Sequence, residues 1–253
     1  MRFEGCIAMV TGAGSGLGAQ TARALSAEGA VVVLSDVDGA AAARVAQDLP
    51  NAWSAALDVS DAAAVQAHVD AICARHGRLD LAVNNAGIAH GLALIEDTDM
   101  AAFDAVIAVN LRGAFACLRA QLPVMKAQGS GAIVMLASAA GLAGAGRLAA
   151  YAASKHGVVG LARSAADEAG RSGVRINAIC PAFTETPMLE GLTTALTERY
   201  GPAGARDRLS ARMPLARTAE TGEIVQAVLW ALDPQNSFLT GAAIPIDGGL
   251  TAI

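Results

Sequence analysis

The chain lacks any run of lysine or arginine residues. Of its 253 residues, 18 are basic and 23 are acidic, which gives a formal net charge of -5 at neutral pH. Proteins that bind nucleic acids or anionic membranes usually present clustered positive charge. The composition therefore argues against a nucleic-acid or membrane partner and predicts small-molecule partners.

Cysteine is scarce and scattered. No two cysteines form a C-x-x-C pair, and none has a histidine at metal-ligand spacing. We therefore expect buried, reduced thiols and no metal site. The four histidines are equally dispersed, and we assign them surface or packing roles. The four cysteines are Cys6, Cys73, Cys117 and Cys180.

No strongly apolar run is long enough to cross a membrane, although 54% of the residues are hydrophobic. The longest uncharged stretch, residues 127–146, contains a glutamine, two serines and five glycines. A spanning helix needs about 18 or more consecutive apolar residues. The N-terminal residues include Glu4 and lack the basic and apolar regions of a signal peptide. We expect a soluble, cytoplasmic protein with a large buried sheet.

Short apolar runs alternate with longer segments of helical period along the chain. This alternation is typical of repeated βαβ units, and it predicts a doubly wound parallel α/β sheet of about seven strands flanked by helices. The length fits a single domain over residues 1–253. The predicted strands cover residues 6–10, 31–34, 53–57, 79–83, 132–136, 175–179 and 243–246. The predicted helices cover residues 16–28, 39–48, 61–76, 100–128, 149–171 and 220–232.

One stretch breaks this alternation. Residues 181–214 lie between a strand signal and a helix signal and contain glycine, proline and several arginines. Connections of this length inside a compact domain are usually lids or binding loops. We predict a substrate loop at about 181–214.

A glycine-rich segment, residues 11–18, follows the first predicted strand and opens onto a helix. Glycines let the backbone turn sharply and approach a pyrophosphate, and the free N–H groups of a helix start favour an anion. Two motif registers fit, G-x-G-x-x-A over Gly14, Gly16 and Ala19, and T-G-x-x-x-G-x-G from Thr11. The second register starts the turn where the strand stops. We favour a dinucleotide site over a merely flexible glycine loop.

An acidic residue, Asp36, ends the second predicted strand, twenty residues past Gly16. A carboxylate at this place accepts hydrogen bonds from the adenosine ribose and repels a 2′-phosphate. Ser15 and Val37 are neutral, and no basic residue stands beside the ribose position. We predict NAD rather than NADP.

Tyr151 and Lys155 stand four residues apart in a predicted helix, and Ser138 lies thirteen residues before the tyrosine. Residues at i and i+4 share a helix face, so the ammonium group lies beside the phenol. Tyrosine normally titrates near a pKa of about 10, and an adjacent cation lowers this pKa by roughly 1 to 3 units. The pair suggests proton transfer, although the same spacing also occurs on solvated helix faces.

Together these motifs resemble the short-chain dehydrogenase/reductase family over the whole chain. The resemblance implies a Rossmann-like fold and an oxidoreductase that acts on CH–OH groups with a nicotinamide dinucleotide. The residues that carry it are Thr11-Gly12-x-x-x-Gly16-x-Gly18, Asp58-Val59, Asn84-Asn85-Ala86-Gly87, Asn110, Ser138, Tyr151, Lys155 and Asp247-Gly248-Gly249.

The resemblance implies a catalytic tetrad of Asn110, Ser138, Tyr151 and Lys155. Ser138 would polarise the substrate oxygen, and Tyr151 would be the general acid/base. Lys155 would hold the nicotinamide ribose and lower the pKa of Tyr151. Asn110 would position a water that links Lys155 to solvent.

The same resemblance implies the cofactor contacts. The pair after strand three would contact the adenine, the residues after strand four would support a ribose, and the turn after strand six would close over the nicotinamide. Family members commonly have Pro-Gly in this turn, whereas this chain has Pro181-Ala182. Alanine disfavours positive φ, so the turn either uses an ordinary conformation or stores strain. The implied contacts are Gly12, Ser15, Gly16, Leu17, Gly18, Asp36, Val37, Asp58, Val59, Asn85, Ala86, Gly87, Tyr151, Lys155, Pro181, Thr184 and Thr186.

The leading hypothesis is an NAD-dependent dehydrogenase that interconverts a secondary alcohol and a ketone. A 3-oxoacyl-[acyl-carrier-protein] reductase has a very similar pattern, but that role normally uses NADPH and needs basic surface for an acidic carrier. A catalytically silent dinucleotide sensor typically lacks the tyrosine or the lysine, and both are present here.

The substrate itself is not specified by these motifs. Arg147 either anchors a substrate carboxylate or forms a surface salt bridge. The predicted, mostly apolar pocket wall comprises His90, Leu92, Leu94, Ala140, Leu142, Phe183, Met188, Leu189 and Leu192.

Small residues form a stripe on the helix that carries Tyr151. Such a stripe permits close contact between helices. The contact is either within one subunit or, by analogy with the family, across the interface of a homodimer or homotetramer. We favour the oligomer. The stripe comprises Ala153, Gly157, Gly160 and Ser164.

Overall fold

Seven parallel strands form one sheet in the order β3-β2-β1-β4-β5-β6-β7. The computed structural model describes residues 1–252, apart from the side chains of residues 195, 198–200, 202–203, 206 and 208. The strands are β1 (Ile7–Thr11), β2 (Val31–Asp36), β3 (Ala52–Ala56), β4 (Leu81–Asn84), β5 (Gly131–Leu136), β6 (Val174–Pro181) and β7 (Ala243–Ile246). The helices are α1 (Gly16–Ala27), α2 (Gly39–Gln47), α3 (Ala62–His76), α4 (Met100–Val106), α5 (Ala114–Gln128), α6 (Ala149–Ala169), α7 (Pro187–Ser210) and α8 (Thr221–Leu232). The predicted fold class is confirmed.

Two apolar cores lie on the two faces of this sheet. One contains buried residues of α3, α5 and α6, and the other contains buried residues of α1, α2 and α8. Successive strand residues alternate between them, as Met9 belongs to the first core and Val10 to the second. Strands buried on both faces appear in a sequence as continuous apolar runs. This burial holds for the five inner strands and not for the edge strands β3 and β7, which are only partly buried. All seven strands lie within a residue or two of their predicted ranges.

The prediction of a loop over residues 181–214 is wrong in its central part, because α7 occupies Pro187–Ser210. Thr186 caps this helix, and its Oγ1 accepts a hydrogen bond from the backbone N–H of Leu189 at 3.4 Å. Proline at the first helical position needs no N–H partner and favours a helix start. Pro187 therefore begins a helix. Gly201, one of the residues that made this stretch resemble a loop in the sequence, interrupts the helix with a φ of 73° and a ψ of 165°.

The helical run from Met100 to Gln128 contains a π-helical segment, Ile107–Gly113, between α4 and α5. By length and composition alone, this run is the one described helix that would suffice to cross a membrane. Apolar helices in the core of a soluble protein meet the same criteria, and α5 packs against α3 and α6 in one layer of this fold.

The cysteines are only partly as predicted. All four are free thiols, and Cys117 and Cys180 are buried. Cys6 and Cys73 are only partly buried, because Cys6 precedes β1 and Cys73 lies beside the buried face of α3.

A buried amide pair braces the end of β4 against α5. The Asn84 Nδ2 group donates to Gln121 Oε1 at 2.9 Å, and the Gln121 Nε2 group donates to Asn84 Oδ1 at 2.8 Å. Both side chains are buried. Reciprocal bonding satisfies polar groups that would otherwise destabilise the core.

Candidate active site

The carboxyl ends of all seven strands lie at one edge of the sheet, because the strands are parallel. The strand order reverses between β1 and β4. In open α/β sheets, ligands bind in the crevice beside such a reversal. The glycine-rich segment follows β1, and residues 85–87 follow β4, so both lie at this crevice.

The glycine-rich turn begins at Gly12, directly after the last residue of β1. Gly12 and Gly16 have φ angles of 64° and 51°, in the left-handed region that disfavours larger residues. A Cβ atom on Gly18 would overlap the carbonyl oxygen of Gly12 and lie 2.6 Å from Asn85 Nδ2. The geometry thus matches the T-G-x-x-x-G-x-G register, with glycines where the turn and the helix require them.

The start of α1 is open to a ligand. Ser15 precedes the helix, is exposed, and makes no side-chain capping bond. The N–H groups of a helix start carry partial positive charge and commonly bind phosphate. The turn and this helix start therefore fit the pyrophosphate of a dinucleotide.

Asn85 has a structural role besides the cofactor contact predicted for it. Its side-chain amide donates to the carbonyl oxygens of Thr11 and Gly12, both at 3.0 Å. Thr11 Oγ1 in turn accepts from the backbone N–H groups of Asn85 and Ala86, both at 3.1 Å. Because its side chain is committed to these carbonyls, Asn85 acts by holding the glycine turn against the end of β4.

Asp36 lies beside the glycine turn. Its Oδ2 accepts from the backbone N–H of Gly14 at 2.9 Å, and its Oδ1 accepts from that of Asp38 at 3.0 Å. Val37 is 76% exposed. A carboxylate held at this position retains free lone pairs for the hydroxyls of a ribose.

Asp58 and Val59, after β3, differ in exposure. The exposed Asp58 accepts from the backbone N–H and hydroxyl of Ser60 at 2.9 and 2.8 Å. Val59 is buried and packs closely on Gly113. A Cβ atom added to Gly113 would lie only 2.7 Å from Val59 Cγ2.

Tyr151, Lys155 and Ser138 meet beyond the ends of β5 and β6. Tyr151 and Lys155 lie in the first two turns of α6, and the Lys155 Nζ atom is 5.7 Å from the centre of the Tyr151 ring. Ser138 shares a side-chain hydrogen bond with Tyr151 and donates to the carbonyl oxygen of Pro181 at 3.4 Å. The structure therefore brings the three side chains together.

The electrostatics of this group differ from the expectation in one respect. Burial raises the pKa of Tyr151, and its hydrogen bond with Ser138 acts in the opposite direction. Burial also lowers the pKa of Lys155 to about 8. The Lys155 Nζ group donates to the carbonyl oxygen of Leu136 at 2.7 Å. The ammonium is directed to this carbonyl, and the lowering of the Tyr151 pKa by Lys155 stays a prediction.

Asn110 lies in the π-helical segment and is 1% exposed. Its Oδ1 accepts from the Ile88 N–H at 2.8 Å, and its Nδ2 donates to the Ile88 carbonyl at 2.9 Å and to Ser154 Oγ at 3.0 Å. A Cβ on Gly87 would lie 3.3 Å from Asn110 Oδ1 and 3.4 Å from Lys155 Nζ. Asn110, Gly87 and Lys155 are thus neighbours, and π-helical turns often occur at functional sites.

The turn after β6 uses an ordinary conformation at the unusual alanine. Ala182 is not among the residues with positive φ, and its N–H donates to the Ile246 carbonyl at 3.2 Å. Thr184 donates to the Ala182 carbonyl, and Thr186 donates to the Thr184 carbonyl, both at 3.1 Å. The substitution of alanine for glycine therefore stores no strain here.

The start of α7 approaches the glycine turn. A Cβ on Gly16 would lie 3.5 Å from Pro187 Cδ and 3.7 Å from Thr186 Cβ. A cleft of about 360 Å³ lies beside α7, and its lining residues include Leu189, a predicted pocket residue, and Glu185. The cleft does not include the tetrad residues.

Two residues named in the sequence analysis, His90 and Cys180, have contacts that the sequence did not predict. His90 Nδ1 lies 2.7 Å from the Gly91 carbonyl and must donate to it, while the buried His90 Nε2 has no partner among the described residues. Burial raises the pKa of the Cys180 thiol to about 11, and the backbone of Ser138 donates a hydrogen bond to it. The surroundings of Cys180 depend on chain segments that meet only in the fold, whereas the His90 contact is with the adjacent residue and follows from the local conformation of the loop.

Comparison with known proteins matches nearly the whole chain. Residues 12–251 match the family model described as enoyl-(acyl carrier protein) reductase. Levodione reductase of Leifsonia aquatica is 42% identical, over 99% of this chain and 96% of that protein. A crystal structure of levodione reductase, 41% identical, superposes with a TM-score of 0.93 over 99% of both chains.

Two further relatives are of similar length. Cis-4-hydroxycyclohexanecarboxylate dehydrogenase of Sinomonas cyclohexanicum is 41% identical, over 99% of this chain and 98% of that protein. The 3-oxoacyl-[acyl-carrier-protein] reductase of Thermotoga maritima is 36% identical, over 99% of each.

Proposed function

Because the chain belongs to the short-chain dehydrogenase/reductase family, we propose that it is an NAD-dependent dehydrogenase that interconverts a secondary alcohol and a ketone. The observation that carries this proposal is the meeting of Tyr151, Lys155 and Ser138 beside the glycine turn. A bound nicotinamide dinucleotide would accept the hydride in the oxidative direction. The residues supply binding, orientation and proton transfer.

The proton leaves the substrate through Tyr151. Ser138 donates a hydrogen bond to the substrate oxygen, and the Tyr151 phenol lies within its hydrogen-bonding reach. In the oxidative direction the phenolate takes the hydroxyl proton, and in the reductive direction the phenol returns it. Lys155 holds the nicotinamide ribose, and Asn110 positions a water that connects Lys155 to solvent; their shared proximity to Gly87 supports this relay.

We assign the dinucleotide contacts to the residues predicted from the sequence. Gly12, Ser15, Gly16, Leu17 and Gly18 hold the pyrophosphate. Asp36 and Val37 receive the adenosine ribose. Asp58 and Val59 contact the adenine, Ala86 and Gly87 support a ribose by their backbones, and Pro181, Thr184 and Thr186 close over the nicotinamide.

NAD rather than NADP is the proposed cofactor. Asp36 is fixed beside the glycine turn by the Gly14 N–H, and its charge opposes a 2′-phosphate. Its neighbour Val37 offers no positive charge. Asp36 also speaks against the rival assignment, an acyl-carrier-protein reductase, as does the net charge of -5.

The substrate class is an alicyclic secondary alcohol or its ketone. This proposal rests on the relatives, one of which is named for a hydroxyl on a cyclohexane ring. A non-catalytic sensor is disfavoured because all four tetrad residues are present.

We place the protein in the cytoplasm as a homodimer or homotetramer. Ala153, Gly160 and Ser164 of the small-residue stripe on α6 are exposed. Gly157 instead packs within the subunit, where a Cβ would lie 2.6 Å from Leu111 Cδ1. Exposed small residues permit a second helix to approach.

A panel of secondary alcohols tests the proposal. Each alcohol is incubated with NAD or NADP, and the absorbance of the reduced nicotinamide is followed. We expect turnover of cyclohexanols with NAD and a higher oxidation rate at higher pH, since oxidation releases a proton. Absence of turnover in both directions with both cofactors would contradict the proposed function.

A further inference from the structure

Arg147 occupies a backbone conformation that costs stability. It immediately precedes the N-cap of α6 and has a φ of 67°. In this left-handed region a non-glycine residue costs roughly 1–2 kcal/mol. The same loop already contains glycines at positions 144 and 146. A glycine at 147 would relieve this strain.

The guanidinium has no partner within the part of the chain that the structure describes. Four other arginines, Arg2, Arg23, Arg78 and Arg217, form ion pairs there. Arg147 is exposed and forms neither an ion pair nor a side-chain hydrogen bond with those residues. The sequence left open a surface salt bridge for Arg147, and Arg147 forms no such salt bridge with the described residues.

The backbone of Arg147 is bonded to a segment that leads to the tetrad. Its carbonyl oxygen accepts from the Ala93 N–H at 3.1 Å. At the other end of the same segment, Ile88 is held by the Asn110 side chain at 2.8 and 2.9 Å. The segment 88–93 thus runs from the tetrad to Arg147, which itself lies four residues before Tyr151.

We propose that Arg147 determines specificity by binding an anionic group, such as a carboxylate, that the substrate carries at a distance from the reacting carbinol. The inference rests on the proposed function and refines its substrate class. The planar guanidinium matches a carboxylate in a bidentate geometry that lysine cannot reproduce. From its place four residues before Tyr151, an exposed arginine side chain would reach a substituent that Ser138 and Tyr151 do not contact.

The backbone strain permits a variant that removes the charge without harming the fold. In Arg147→Gly the residue keeps its φ and loses its side chain, so we expect a melting temperature equal to or above that of the wild type. Arg147→Lys keeps a charge but loses the planar fork. Arg171→Ala is the matched control, since it removes one exposed positive charge just beyond the opposite end of α6.

The probes are cis- and trans-4-hydroxycyclohexanecarboxylate and their uncharged methyl esters. For Arg147→Gly we expect kcat/KM with the acid to fall roughly 10- to 100-fold, mainly through KM, because a charge-assisted hydrogen bond is lost. Oxidation of the ester should be unchanged. Arg147→Lys should give an intermediate loss, and Arg171→Ala should behave as the wild type. Higher salt should weaken use of the acid only where Arg147 is present.

Direct binding supplies a second readout that does not depend on turnover. Calorimetry of the wild type should show tighter binding of the acid than of the ester, and Arg147→Gly should abolish the difference. An unchanged acid-to-ester ratio in Arg147→Gly, or a wild type that binds acid and ester equally, would overturn the inference. If either result is found while the esters are still oxidised, only the role of Arg147 is rejected and the proposed function stands. If the wild type oxidises no secondary alcohol at all, the proposed function itself is rejected.

Discussion

Replacement of Asp36 by asparagine removes one negative charge beside the glycine turn and keeps an oxygen that accepts from the Gly14 N–H. The 2′-phosphate of NADP carries about -1.5 to -2 charges. At an effective dielectric constant of about 20 and a separation of about 6 Å, each pair of unit charges repels by about 3 kcal/mol. Physiological salt and the partial exposure of Asp36 reduce this repulsion. We expect a net effect of roughly 1.4–2.8 kcal/mol, a 10- to 100-fold loss of NAD preference.

The assay is the ratio of dissociation constants for NADH and NADPH, measured by nucleotide fluorescence. Asp38→Asn is the control, because the exposed Asp38 caps α2 through the Ala41 N–H at 2.9 Å. Its variant should keep the wild-type ratio. The reasoning is refuted if Asp36→Asn binds the two nucleotides with the wild-type ratio, or if the wild type prefers NADPH.

Three further predictions concern the framework of the site. The pKa of Lys155 is lowered to about 8 from an ordinary 10.5. Above pH 8 the unfolded chain therefore binds more protons than the folded one, and the free energy of unfolding, measured with urea, should rise by about 1 kcal/mol from pH 8 to 9. The same rise with pH in the wild type and in Lys155→Met would contradict this. Gln121→Leu leaves the buried Asn84 amide with only the weak sulfur acceptor of Met135. It should lower the free energy of unfolding by about 1–3 kcal/mol, which an unchanged urea midpoint would disprove. Gly18→Ala should abolish dinucleotide binding because of its overlap with the turn. Gly222→Ala, in open space on α8, should bind the dinucleotide normally and gain about 0.4–1 kcal/mol.

The elements of the fold could be predicted where the physical signal was local. Apolar runs located the five inner strands, whose residues are mostly buried. The edge strands β3 and β7 are only partly buried, and the alternation of strand and helix signals located them. The helix α7 was missed because glycine and proline were taken as breakers, while Pro187 stands at the one helical position that suits it.

The candidate site was predictable in its residues more than in its contacts. The spacing of Tyr151 and Lys155 correctly placed both on one helix. It did not predict that Lys155 would donate to the Leu136 carbonyl or that Asn85 would hold the glycine turn. These contacts join residues far apart in the chain, and the strained φ of Arg147 likewise follows from the junction of a loop and a helix.

The most direct test of the account is the effect of Tyr151→Phe on hydride transfer. This change removes the hydroxyl that receives the substrate proton and leaves the glycine turn intact. We expect kcat/KM for alcohol oxidation to fall by roughly 10²- to 10⁴-fold, as for loss of a general base, while the dissociation constant for NADH stays at its wild-type value. A variant that oxidises the alcohol at the wild-type rate would contradict the assignment of Tyr151 as the acid/base.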